Sequence, residues 1–167
     1  MDIDVDGKDI GRLDFELFGA SSPKSVNNFI GFLTGDFDRY CQYQGSMITR
    51  IYEQRFFQGG DFMRNDGKGT ATVYGVDKMP AEQNKLKFDE PFLLAMAADE
   101  DGNTGCQFFV TLQEMPSLNG SKHTIIGRLL KGSETARTIE GIESYRKYRQ
   151  ESQTFFGVTQ NAQKESE

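Results

Sequence analysis

Two strand-like runs carry the side chains best suited to chemistry. Residues 50–62 read R-I-Y-E-Q-R-F-F-Q-G-G-D-F, and residues 105–111 read G-C-Q-F-F-V-T. Arg50 and Gln58 share parity in the first run, and Gln107 and Phe109 share it in the second. Same-parity residues of a strand point to one face. If both runs line one surface, a fixed guanidinium and two amides converge beside an aromatic wall.

The side chains that usually do covalent or metal chemistry are missing from this set. His123 is the only histidine, and Cys41 and Cys106 form no C-x-x-C pair. A transition-metal site needs clustered ligands at set spacings, so none is expected. Residues 99–102 (D-E-D-G) lack the remaining positions of a calcium loop and read as a solvated acidic turn. No G-x-S-x-G elbow is present, and G-K-G-T at 67–70 lacks the spacing of a phosphate loop. No cofactor is expected. What remains suits a reaction with no covalent intermediate and no strong acid or base. Rotation about a prolyl peptide bond is one such reaction. Its barrier, about 18–20 kcal/mol for a peptide bond, comes from amide resonance. A guanidinium aimed at the prolyl nitrogen donates a hydrogen bond only once resonance is broken, so it binds the twisted state selectively. The proline ring then needs an apolar pocket, which residues such as Phe109 can supply.

Composition narrows the setting. A chain of 167 residues fits one domain with a real core and needs no disulfide or metal. Its net charge of −6 argues against a general nucleic-acid binder. No run of about 18 apolar residues occurs, so no membrane span is expected. Two cysteines without a framework read as reduced thiols, which places the chain in the cytoplasm or nucleus. The opening M-D-I-D-V-D-G is not a signal peptide, and it enters strand pattern at once, which leaves an upstream extension open. The sequon at Asn119 reads as loop.

The elements that must position these side chains are mostly strands. Ile3 and Val5, then Leu13, Phe15 and Leu17, alternate with polar residues and read as a hairpin around Gly7. Ser22 and Pro23 start a helix whose core face is Val26, Phe29, Ile30 and Leu33, closed by Gly35. Residues 46–57 read as strand, interrupted near Glu53 and Gln54. Further strands are expected at 92–97, 107–112 and 124–129, with a closing strand near 155–158. Ser133 caps a second helix carrying Ala136, Ile139 and Ile142. Residues 61–86 and 114–122 read as loop. Many short strands and two helices predict a mostly β chain, with a closed β-barrel capped by two α-helices. A single domain over 1–160 is expected, with 161–167 as a polar tail.

Over nearly its whole length the chain resembles the cyclophilins, the peptidyl-prolyl cis-trans isomerase family. The resemblance is carried by V-D-G-x-x-I-G-R-L-x-F-E-L-F at 5–18, S-P-K-S-V-N-N-F at 22–29 and F-Q-G-G-D-F at 57–62. Met96-Ala97, N-T-G-C-Q-F-F at 103–109, and L-N-G with K-H at 118–123 complete it. It implies an eight-stranded antiparallel barrel with a helix at each end. It also implies that Arg50 is the catalytic arginine, that Gln58 orients it, and that Gln107 holds the substrate strand. Phe109, Leu118 and His123 would line the proline pocket, with Ala97 and Ala98 on the adjoining substrate-binding strand. Proline-containing protein segments are the implied partners.

Several departures from the family pattern stand at the site. Arg55 falls where the family carries a pocket phenylalanine. Either it points to solvent, or it reshapes the pocket, with Phe56 refilling part of the space. The acidic run after Ala98 (Asp99, Glu100, Asp101) is expected to favour basic residues near the target proline, or simply to add solubility. Ser117 replaces a tryptophan that typically contacts cyclosporin, so weak cyclosporin binding is expected. The charged stretch 143–153 departs from a glycine-rich loop and reads as a solvated helix extension or a docking surface. Two functions follow. One is an isomerase of X-Pro bonds that assists folding or regulates a partner. The other is a weakly active scaffold or proline-binding subunit of a larger assembly.

Overall fold

A computed structural model describes the backbone of residues 1–148 and 156–159 and the side chains of residues 1–142. The chain is mostly β with two helices, and its strands pair antiparallel in two sheets. The smaller sheet holds β1 (Asp2–Val5), β2 (Lys8–Arg12) and β10 (Phe156–Thr159), with β1 in the middle. The closing strand expected near 155–158 is therefore β10. The larger sheet runs β3 (Asp14–Leu17), β9 (Thr124–Lys131), β7 (Leu93–Ala98), β8 (Asn103–Thr111), β5 (Phe56–Gly59) and β4 (Arg50–Tyr52). A two-residue strand, β6 (Met79–Pro80), pairs with the far end of β8.

The first hairpin differs from expectation. β1 pairs with β2 across a turn at Asp6 and Gly7, both at positive φ. Phe15 and Leu17 belong instead to β3, which pairs with β9 in the other sheet. The reason lies at Leu13, which is fully buried. Its backbone exchanges two hydrogen bonds with Met1 while the chain turns from one sheet to the next.

Helix α1 (Pro23–Thr34) begins and ends where the sequence indicates, with Gly35 at φ 69° closing it. Two details differ. Ser22 is buried, and its hydroxyl makes no cap bond; it faces Asn84 and the Ile125 carbonyl. The Glu82 carboxylate instead accepts from the N–H groups of Lys24 and Ser25. An acid at that end also suits the helix dipole. The buried helical face is Val26, Phe29 and Phe32, while Ile30 sits at the edge, 39 % exposed. Helix α2 (Ser133–Tyr148) buries Ala136 and Ile139 as expected, with Ile142 packed beside them. The side chains of 143–153 and the tail 161–167 lie outside the described residues.

The central strands are apolar on both faces, which explains their continuous hydrophobic runs. Leu94 and Met96 of β7, Cys106, Phe108 and Val110 of β8, and Phe57 of β5 face the main core beneath α1. Tyr43 from the loop after α1 completes it, its buried hydroxyl donating to the Cys106 carbonyl at 2.6 Å. Phe29 and Tyr43 pack against Phe108 at ring separations of 5.4 and 5.1 Å. Gly60, at φ 89°, lets β5 leave the sheet there, since a Cβ would stand 2.7 Å from the Cys106 carbonyl oxygen. Residues of opposite parity face a second apolar cluster: Leu93, Ala95, Phe109 and Ile125, with Phe88 and Met115. Truncating Phe108 to Ala removes the ring on which this core closes. The expected cost is about 3–5 kcal/mol, read as a lower urea midpoint at unchanged slope.

Candidate active site

The site is a row of cross-strand neighbours. β4 and β5 form a hairpin whose turn is Glu53–Gln54–Arg55, with Gln54 at φ 57° and its N–H held by Glu140 of α2. The interruption expected near Glu53 and Gln54 is thus a full reversal of the chain. Arg50 and Gln58 share a face because they are direct register partners on two strands, not because of parity along one. The row continues: Gln58 pairs with Phe109, Phe109 with Ala95, and Ala95 with Ile125. Directly opposed residues of an antiparallel pair present their side chains together. The row therefore runs from a cation at the sheet edge, through an amide, onto an aromatic ring and aliphatic residues.

Gln107, two residues from Phe109 on the same face, joins this row through its amide. Gln58 donates Nε2–H to Gln107 Oε1 at 2.8 Å, and Gln107 donates Nε2–H to the Gly69 carbonyl at 2.8 Å. The relay fixes both amides and leaves Gln58 Oε1 without a hydrogen bond among the described residues. Arg50 is exposed and makes no side-chain hydrogen bond or ion pair among the described residues. Its guanidinium lies along Gly67, where a Cβ would meet Nε at 3.7 Å. The orienting bond from Gln58 to Arg50 that the resemblance implies is not formed here.

Sequence reasoning left Asp61 without a role, although F-Q-G-G-D-F contains it. Asp61 is fully buried and forms no ion pair among the described residues. Its carboxylate instead accepts N–H bonds from Arg64, Asp66, Gly67, Lys68 and Gly69, at 2.8–3.2 Å. Burial alone would raise this carboxyl, but the N–H groups of Gly69, Arg64, Asp66 and Gly67 outweigh it and hold the pKa below its ordinary value. The bound loop carries both Gly67, against Arg50, and the Gly69 carbonyl, which anchors Gln107. Gly69 admits no side chain, since a Cβ would fall 1.9 Å from Asp61 Oδ1. The available signal was an acid followed six and eight residues on by two glycines.

On the apolar side, Phe109 is ringed by Phe56 at 5.5 Å, Phe88 at 6.0 Å and His123 at 5.1 Å, with Leu118 and Ala97 packed on the same cluster. Phe88 was not anticipated, because it lies in a loop without periodic pattern. Arg55 is exposed in its turn, so it stays out of this cluster, and Phe56 takes the inward position. His123 Nδ1 accepts the Ala98 N–H at 3.0 Å, which places the ring proton on Nε2. Burial lowers the His123 pKa. Thr104 holds the Ala97 carbonyl at 2.9 Å. The Ala98 N–H and the Ala97 carbonyl therefore already have partners within the chain.

Beside the aromatic cluster lies a groove of about 330 Å³, which Arg50, Gln58, Gln107, Ala97 and Ala98 all line. Its remaining charged walls are Lys68, Lys78 and Asp99. Asp99 is neutralised at 2.8 Å by Lys78 and accepts the N–H groups of Asp101 and Asn103. Glu100 and Asp101 are exposed and do not line the groove. Among the described residues three cations thus face one paired acid, which favours the solubility reading of 99–101 over a preference for basic residues. Cys106 is buried in the other core, which pushes its thiol up to about 12.

Residues 1–156 match the model of the family described as cyclophilin type peptidyl-prolyl cis-trans isomerase/CLD. The chain belongs to this family.

The Asp61 network yields a direct expectation. Hydrogen bonds to a buried charge are worth about 1.5–3 kcal/mol each. Asp61→Ala is expected to speed amide hydrogen exchange at Gly67, Lys68 and Gly69 by about tenfold or more, with the Phe108 and Val110 amides unchanged.

Proposed function

We propose that the chain isomerises X-Pro bonds in partner proteins, with Arg50 as the principal donor. The observation that carries this reading is the continuous row Arg50–Gln58–Phe109, set by strand register and braced by Gln107. A proline ring seated against Phe109, Phe56, Leu118 and His123 puts its imide nitrogen toward the polar end of the row. Arg50, unpaired among the described residues, can then donate to that nitrogen as it becomes pyramidal. This bond forms only in the twisted state, so it lowers the barrier without stabilising either ground-state isomer. Gln58 Oε1 and the Gln107 amide hold the flanking backbone. No proton is transferred and no bond is broken.

The same reading treats the two sheets as parts of one closed eight-stranded antiparallel barrel within a domain spanning 1–160. In its favour, Ile3 of one sheet and Phe57 and Leu94 of the other share one core cluster, and the chain crosses between sheets at the buried Leu13. Weak cyclosporin binding belongs to it too, because Ser117 is a small exposed residue where the family carries tryptophan. The exposure of Arg55 and the inward position of Phe56 favour a working pocket over an inert scaffold.

Two outcomes test this. With a short Ala-Pro peptide, NMR exchange spectroscopy should show cis/trans exchange speeded by the wild type. Arg50→Ala should lose about a hundredfold of that rate, the scale on which one transition-state donor matters. Binding without faster exchange by the wild type would leave only a proline-recognition module. For substrate choice, the cationic groove should favour a glutamate over a lysine beside the target proline by several-fold in kcat/KM at low salt. That preference should shrink as ionic strength rises. A preference for lysine would show that the acidic run 99–101 governs the groove.

A further inference from the structure

Five of the nine exposed large apolar side chains among the described residues come from two short stretches of chain. Ile30, Phe37, Tyr40, Tyr74 and Val76 are 39–75 % exposed, and they come from only two segments, 30–40 and 74–76. These segments meet. A Cβ on Gly31 would stand 2.7 Å from Val73 and 3.9 Å from Phe37, so the missing side chain at Gly31 opens a floor between them. The result is a groove of about 330 Å³ walled by Ile30, Phe37, Val73 and Tyr74. Tyr74 is held upright there, its hydroxyl donating to the Lys24 carbonyl and accepting from Asn27. A grouped apolar patch on a folded chain marks an interaction surface more often than scattered single residues do.

Charge identifies the occupant. Among the described residues Asp36 is the one charged side chain lining this groove, and its carboxylate makes no hydrogen bond or ion pair. Arg39, the nearest cation in sequence, is folded onto Tyr40, donating to its hydroxyl at 2.7 Å with its guanidinium over the ring. The groove thus offers an apolar slot with one unanswered negative charge at its lip. We propose that it docks a segment of a partner protein in which a lysine or arginine lies next to a large aliphatic or aromatic residue. Position adds to the argument. α1 packs over the core face of β8, formed by Cys106, Phe108 and Val110, whereas Gln107 and Phe109 face the other side. A partner bound to the outer face of α1 leaves the candidate active site open. The proposal does not depend on catalysis.

The test is selection from a random-peptide phage library on the wild type, with counter-selection on the double variant Ile30→Lys/Asp36→Lys. Both residues are on or beside an exposed helix edge, so the variant is expected to fold, and unchanged prolyl exchange and circular dichroism check this. Enriched peptides should pair a basic residue with a large apolar one and shift the amide resonances of 27–37 and 73–74. They should lose about tenfold or more in affinity to the double variant. Asp36→Asn alone should weaken them and remove their salt dependence. Failure to enrich any sequence, enrichment without a basic residue, or shifts centred on Gln58 and Gln107 would each overturn the proposal.

Discussion

The register of the β4–β5–β8 ladder is the constraint on which the site depends. Arg50 meets Gln58, and Gln58 meets Phe109, only in the pairing observed. A slip of one residue moves every side chain of a strand to its other face. Arg50 would then be exchanged for Thr49 or Ile51 on this face, and Phe57 would leave the main core. Burial on both sides holds the register in place. Phe57 is locked under α1, while Phe56 is locked against Phe109. The same apolar packing that stabilises the sheet therefore aligns the polar row at its edge. The turn at Gln54, tied to Glu140 of α2, fixes the end of the hairpin.

A second device lets polar groups work at the edge of an apolar sheet. The amides of Gln58 and Gln107 need fixed partners, because a freely rotating amide holds no substrate. The fixed point is the Gly69 carbonyl, and that carbonyl is held by a loop folded around the Asp61 carboxylate. A buried charge is costly unless fully hydrogen-bonded. Five backbone N–H groups meet that need here, with no cation paired to it among the described residues. Arg50, although close to the same loop, is thereby left unclaimed by Asp61.

Much of this was legible in the residues. Period-2 runs located most strands, and Ser22-Pro23 with Gly35 bounded α1 to the residue. Gln107 and Phe109 were placed together correctly, because parity within one strand is a local property. Arg50 and Gln58 were matched for the wrong reason. Their shared face comes from a turn that reads only as a weak interruption, since Gln54 carries no glycine or asparagine to signal its positive φ. The first hairpin was misread because alternation at 13–17 says nothing about which sheet those residues join. Phe88 and the charge of the groove depend on contacts distant in sequence, whereas Asp61 binds N–H groups only three to eight residues on, in a loop without periodic pattern. The acids at 99–101 looked dominant along the chain, yet Lys78, about twenty residues away, neutralises the one that lines the groove.

The central claim is spatial: a substrate proline sits on Phe109 with its imide nitrogen toward Arg50. Intermolecular NOEs between an Ala-Pro peptide at saturation and the isotope-labelled protein test it most directly. The account predicts contacts from the proline ring protons to the rings of Phe109 and Phe56 and to Leu118. The residue before proline should lie near the Gln58 and Gln107 side-chain amides. Proline contacts confined to the Ile30–Phe37 groove, or to the Lys68–Lys78 side without Phe109, would contradict it.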